Sequence, residues 1–303
     1  MAPRIVVVDY HKGNLKSVER GLAAAGAEAF ASDDPAAIVR ADAVVLPGVG
    51  AFADAAATME ALGQTEAVRE RIAAGVPFLG ICLGMHLMFE EGVEGAPEED
   101  DEASTHNARG LAVLPGVVGA LPKSDAAGRA YKVPHVGWNT VVPPDCQLSE
   151  LLDVAVFPST RPSRDPGMPC LGSAEQGAPA RAHSVGSNGP LGCSMRTEVR
   201  GASAIPRISG VGETLADVDG SASDSKFSCP LFEAIPAGEY FYFTHGYIAP
   251  DGPFVIGKTA HSVTFPSAVQ YGEAAFGVQF HPEKSSDAGA QLLRNFVNIV
   301  KGA

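Results

Sequence analysis

The chain opens on Arg4-Ile5-Val6-Val7-Val8-Asp9, a run in which neighbouring positions are all apolar. Such a run buries both faces of a strand and belongs inside a parallel sheet. After the turn His11-Lys12-Gly13-Asn14 the period changes. Leu15, Val18, Leu22 and Ala25 recur at helical spacing, and Gly26 supplies a C-cap. Glu28 to Ala31 predicts a second strand and Asp42 to Leu46 a third, which ends in Pro47-Gly48-Val49-Gly50-Ala51-Phe52. An alanine-rich helical segment then runs to Gly75. Val76 to Ile81 is a fourth apolar run, and Met85-His86-Leu87-Met88-Phe89-Glu90-Glu91 beyond it reads as a helix. This rhythm predicts an α/β fold: a doubly wound, mostly parallel open sheet with flanking helices.

Glu90 to Arg109 contains Glu98-Glu99-Asp100-Asp101-Glu102 and predicts a solvated acidic loop. Leu111 to Leu121 and Tyr131 to Val142 read as strands. The second carries Trp138, the single tryptophan, either a core anchor or an interface residue. From Cys146 to Ser228 proline, glycine, serine and alanine dominate and periodicity fades. We expect residues 1–303 to form one domain, with 146–228 a low-complexity, mostly disordered insert within it. Strand signals return at Glu239–His245, Phe254–Thr259, Ser267–Tyr271 and Ala275–Phe280. A closing helix is predicted from Asp287 to Val300, with Gln291, Leu292, Phe296 and Val300 inward.

Net charge alters this picture by exclusion. A net charge of −13 over 303 residues argues against a nucleic-acid or anionic-membrane surface, since both need basic patches. No apolar run approaches the ~20 residues of a membrane span. Met1-Ala2-Pro3-Arg4 leads straight into a strand, so no signal or transit segment is expected. Five cysteines, an odd number, suit a reducing compartment, and we expect a cytoplasmic protein. Cys146, Cys170, Cys193 and Cys229 lie in or beside the insert at long spacings without a Cys-x-x-Cys pair. No metal site and no cofactor is expected.

Three stretches carry candidate chemistry. In Gly80-Ile81-Cys82-Leu83-Gly84 a strand turns sharply into a helix and exposes the residue at the bend, as in the Gly-x-Ser-x-Gly elbow. Cys82 is then either a nucleophile activated at a helix N-terminus or an ordinary buried cysteine. Pro47-Gly48-Val49-Gly50 ends a strand at the edge where open α/β sheets hold ligands. It lacks the Lys-Ser/Thr of a phosphate loop. An oxyanion hole beside Cys82 fits it, and so does a plain turn. His281-Pro282-Glu283 follows another apolar strand. A nucleophilic cysteine needs a base, and the base needs a carboxylate to hold its ring; His281 and Glu283 offer both.

Taken together, Gly80-Ile81-Cys82-Leu83-Gly84-Met85 and Gly277-Val278-Gln279-Phe280-His281-Pro282-Glu283-Lys284-Ser285 resemble the class I (triad) glutamine amidotransferases. Asp9-Tyr10-His11-Lys12-Gly13-Asn14-Leu15-Lys16-Ser17, Pro47-Gly48-Val49-Gly50-Ala51-Phe52 and Pro134-His135-Val136-Gly137-Trp138-Asn139 narrow the likeness to the glutaminase subunit of imidazole glycerol phosphate synthase. The likeness covers residues 1–145 and 229–303. It implies glutamine as substrate, Cys82 as nucleophile, and His281 held by Glu283. It implies an oxyanion and glutamine site drawn from Gly48, Val49, Gly50, Leu83, His86, Thr244, His245 and Gly246. It also implies a (β/α)8 cyclase partner, separate or fused, that receives ammonia, with Asn14, Trp138, Tyr242 and Lys284 facing it.

The sequence departs from the family at two positions. His86 stands where glutamine is usual, and Gly246 where serine is common. Two alternatives follow: another triad amidotransferase, or a docking subunit impaired by His86 or by the insert.

Overall fold

The computed structural model describes residues 1–96, 107–146 and 226–303. The expected insert, apart from residues 146 and 226–228, lies outside the described residues, as do residues 97–106 of the acidic loop.

The first half alternates strands and helices: β1 (Arg4–Val8), α1 (Leu15–Ala24), β2 (Glu28–Ser32), α2 (Pro35–Arg40), β3 (Ala43–Leu46), α3 (Phe52–Ala61), α4 (Gln64–Ala73), β4 (Phe78–Ile81) and α5 (Leu83–His86). Then follow β5 (Phe89–Gly92), β6 (Ala108–Arg109), β7 (Leu114–Ala120) and β8 (His135–Val141). Past the undescribed stretch come β9 (Glu239–His245), β10 (Tyr247–Ile248), β11 (Val255–Ala260), β12 (Thr264–Tyr271), β13 (Ala275–Val278) and α6 (Ser286–Gly302).

A seven-stranded sheet in the order β11-β12-β13-β4-β3-β1-β2 forms the centre. Strands β13, β4, β3, β1 and β2 are parallel, while β11 and β12 add antiparallel pairs at one edge. The apolar strands serve two cores because side chains alternate across a sheet. Ile5 and Val7 of β1, with Ala43 and Val45 of β3, join a cluster containing Leu22 of α1 and Leu292 and Phe296 of α6. Val6, Val8, Val44 and Leu46 join another, with Ile38, Phe52, Met59 and Val68 from α2, α3 and α4.

Several boundaries differ from the periodicity. The helix expected over 85–91 stops at His86, and Phe89–Gly92 is a strand pairing with β6 and β7. Phe89 and Gly92 are buried whereas Glu90 is exposed. The Glu90 carboxylate accepts the Gly116 N–H at 2.9 Å, so tertiary pairing outweighs local helix preference here. The alanine-rich helix is two helices, broken at Gly63, whose φ is 69°. Helix α2 has Asp34 as N-cap, accepting the Ala36 N–H at 2.9 Å, with Pro35 at its first position; the periodicity analysis missed it. Gln291 is half-buried at the edge of α6 rather than inward, because it reaches Asn295 along the helix at 2.8 Å.

Neighbours β3, β4 and β13 all run parallel. Their carboxyl ends therefore lie together and deliver Pro47–Gly50, Cys82 and Gln279–His281 to one edge of the sheet, where open α/β sheets bind ligands.

Candidate active site

Cys82 ends β4 with φ 54° and ψ −108°, a strained backbone for a non-glycine residue. The flanking glycines make the bend possible. A Cβ on Gly84 would overlap the Leu46 carbonyl, and one on Gly80 would overlap the Gly84 backbone. A Cβ on Gly48 would strike Leu83 and Gly84, so the Pro47–Gly50 loop rests directly on the elbow. The helix behind Cys82 is only four residues long. The dipole expected from a longer helix is correspondingly small.

His281 is fixed by β9. Its N–H donates to the Tyr242 carbonyl at 2.9 Å. The Tyr242 N–H donates to Ser285 Oγ at 3.0 Å, and that hydroxyl donates to the His281 carbonyl at 2.6 Å. Pro282 starts a single 3₁₀ turn that brings the Glu283 carboxylate back onto the ring, 3.0 Å from His281 Nδ1. Both side chains are buried. Burial alone opposes a charged imidazole, but Cys82 and Glu283 outweigh it and raise His281 to about 9. His281 therefore carries its proton at neutral pH.

One cavity of about 290 Å³ gathers Gly48, Val49, Gly50, Cys82, Leu83, His86, Thr244, His245, Gly246 and His281. All the residues expected around bound glutamine thus line a single space. Lys284, expected at a partner surface, lines it too. Asn14, Trp138 and Tyr242 do not. Asn14 is exposed at the N-terminus of α1. Trp138 and Tyr242 pair across β8 and β9 on a half-buried face, their rings edge-on at 6.0 Å.

Two placements refine the expected oxyanion hole. The Val49 N–H donates to the hydroxyl of fully buried Tyr10 at 3.2 Å, and so does not point at Cys82. Leu83 begins α5, where first-turn amides lack helical partners.

His245 belongs to a neutral wall. Its Nδ1–H donates to the Tyr247 carbonyl at 2.8 Å, so its Nε2 accepts from His135 Nδ1–H at 3.0 Å. His135 Nε2 then accepts from the Asn139 amide at 3.2 Å. Burial, with neighbouring histidines, lowers His245 to about 3 and His135 to about 2. His281 is thus the charged histidine beside the sulfur.

The sequence reading missed Glu94, Pro134 and Tyr247, which also line the cavity, and Tyr10 beneath the loop. Burial raises the Glu94 carboxyl above its ordinary range. It gave no signal because it sits among surface-type acidic residues. Gln279 was also passed over: its amide N–H reaches Cys82 Sγ at 3.8 Å. The clue was a polar residue closing an apolar strand, two positions before His281.

Residues 6–155 and 209–300 match the family model for glutamine amidotransferase class-I. The chain is 34% identical over 301 residues to imidazole glycerol phosphate synthase subunit HisH of Moorella thermoacetica, covering 99% of this chain and 96% of that protein. It is 32% identical over 299 residues to the HisH subunit of Symbiobacterium thermophilum, covering 98% and 94%. Among solved structures, PurLQS of Thermotoga maritima aligns with a TM-score of 0.51 at 13% identity over 99% of both chains, a likeness of fold.

Proposed function

Because the chain belongs to the class-I glutamine amidotransferases, and within them to the HisH subunits of imidazole glycerol phosphate synthase, we propose that its activity runs through Cys82, His281 and Glu283. The observation that carries this is their convergence. A cysteine on a strained elbow and a buried, carboxylate-held imidazolium share one cavity.

Glutamine enters the cavity with its side-chain amide against the sulfur. Glu94, a cavity carboxylate without an ion-pair partner among the described residues, receives the α-ammonium group. Cys82 attacks the amide carbon as a thiolate. The carbonyl oxygen becomes an oxyanion that takes hydrogen bonds from the Leu83 amide and from the Pro47–Gly50 loop, each such donor typically worth ~3 kcal/mol. His281 gives its proton to the departing nitrogen, the C–N bond breaks, and ammonia leaves a glutamyl thioester. His281, now neutral, takes a proton from water as that water attacks the thioester. Glutamate and the thiolate are released and the imidazolium is restored.

Since the Val49 amide is engaged by Tyr10, full oxyanion stabilisation requires that loop to turn. A cyclase docked on the Trp138–Tyr242 face, with Asn14 and Lys284, supplies that push when its own ligand is bound. The partner is a (β/α)8 cyclase that uses the ammonia to build imidazole glycerol phosphate from a phosphoribulosyl formimino ribotide. Transfer is sheltered, because protonated ammonia is no nucleophile. We read residues 1–303 as one amidotransferase domain carrying the 146–228 insert. Among the described residues no helix is long and apolar enough to cross a membrane. Free thiols at Cys82, Cys146 and Cys229 fit a reducing, cytoplasmic setting.

The test is glutamate release from glutamine by the full chain with a cognate cyclase, with and without the ribotide. Release that rises with the ribotide and is abolished by Cys82→Ala supports the reading. Cyclase-bound protein that releases no glutamate would favour the impaired docking subunit.

A further inference from the structure

We propose that Gln279, oriented by His86, is the residue that donates a hydrogen bond to the reacting sulfur, with His86 acting as a positioning residue through it. The inference rests on Cys82 being the nucleophile.

Besides the His281 imidazolium, two hydrogen-bonding groups meet Sγ among the described residues. The Thr244 carbonyl lies at 3.8 Å and accepts from the thiol; the Gln279 amide nitrogen lies at 3.8 Å and donates to sulfur. The first contact favours the thiol and opposes a thiolate. The second does the reverse and strengthens as charge grows on sulfur, since hydrogen bonds to ionised acceptors are the stronger ones. Gln279 therefore offsets Thr244 beside the charge of the His281 imidazolium when Cys82 becomes a nucleophile. After attack, the same N–H remains on the sulfur that must leave again from the second tetrahedral intermediate.

A carboxamide serves this purpose only if its NH₂ end faces sulfur. His86 sets that orientation. Its Nε2 lies 2.6 Å from Gln279 Oε1, and both residues are buried, at 3% and 0% exposure. Burial holds His86 neutral, down to about 4, with the Gln279 bond offsetting part of the effect. The ring proton must sit on Nε2 to meet the oxygen. With the proton on Nε2, turning the amide over would set its NH₂ against that N–H and its oxygen against the charged sulfur, so this tautomer matches the observed orientation to the thiolate. The departure from the usual glutamine at position 86 thus keeps a donor in place. A glutamine there can also donate to Oε1 through its own NH₂, whereas an apolar residue cannot.

The experiment is alkylation of Cys82 in the full chain by iodoacetamide, followed by peptide mass spectrometry. It is run at neutral pH for wild type, Gln279→Leu, His86→Leu and His86→Gln. Gln279→Leu and His86→Leu are expected to slow alkylation at neutral pH by about tenfold, the loss of one hydrogen bond to a charged acceptor. Recovery of the rate in the conservative His86→Gln variant is the readout that a merely structural role would not produce. His86→Gln is expected to stay within about twofold of wild type. Buried Cys229 reports folding in the same digest: its labelling would mark an unfolded variant, and the His86→Gln to His86→Leu comparison would then decide. Folded Gln279→Leu alkylated at the wild-type rate, or His86→Gln as slow as His86→Leu, would overturn the proposal. Alkylation needs no glutamine, so a wild type that releases no glutamate would sink the glutaminase reading while leaving this comparison intact.

Discussion

His281 and His245 line the same cavity, yet one holds its proton to about 9 and the other loses it by about 3. Burial opposes charge on both, and the difference comes from partners: His281 faces the Cys82 sulfur and the Glu283 carboxylate, His245 a carbonyl and other imidazoles. Glutaminase turnover should therefore fall on the alkaline side as pH rises through about 9 and the general acid is lost, measurable as kcat against pH. Glu283→Gln should cut kcat by about 10²–10⁴-fold and move that alkaline limb to lower pH. Glu94→Gln should raise KM for glutamine with little change in kcat, because an α-ammonium contact is made equally in ground and transition states. The strand-end positions of Cys82, His281 and Glu283 were legible in the sequence because each follows an apolar strand in a distinctive turn. The placement of Glu94 and Gln279 in the site was not, because it depends on burial and on facing groups that no local pattern records.

At the scale of elements, the elbow and the loop resting on it are one unit. Gly84 packs so tightly on the end of β3 that Gly84→Ala must move the Leu46 carbonyl or the nucleophile. We expect destabilisation of at least about 1–3 kcal/mol, read as a lower midpoint in urea, together with loss of glutaminase activity. Tyr10→Phe acts oppositely on function. Removing the hydroxyl that binds the Val49 amide frees the loop from a tether worth about 1 kcal/mol, so glutamate release without the cyclase ligand should rise roughly fivefold. Unchanged basal release would show that Tyr10 does not restrain the loop. Strands β1, β3, β4 and β13 could be read from their apolar runs. The strand β5 was mistaken for helix because Phe89–Gly92 takes its form from β6 and β7, partners distant in sequence.

Across the whole molecule, buried neutral histidines make the fold sensitive to acid. His86, His135, His245 and His261 all have lowered pKa values in the folded state, chiefly through burial. Above their ordinary value of about 6.5 neither state is protonated. Below it the unfolded chain gains protons that the folded chain refuses, so stability falls as pH drops, by up to about 1.4 kcal/mol per pH unit for each group. His281 has the opposite sign: its contribution is fully present below about 6.5 and is lost as pH rises through about 9. Urea midpoints should thus decline on both sides, and replacing His135 by a neutral isostere such as Gln should flatten the acid limb. The most direct test of the account is a glutamyl adduct on Cys82. Protein, cyclase and ribotide are mixed with isotopically labelled glutamine, quenched in acid during turnover, and the Cys82 peptide is weighed. We predict labelled glutamyl thioester on Cys82 in wild type and none in Cys82→Ala, whose glutamate release is lost. Labelled glutamate released at the wild-type rate by Cys82→Ala would contradict it.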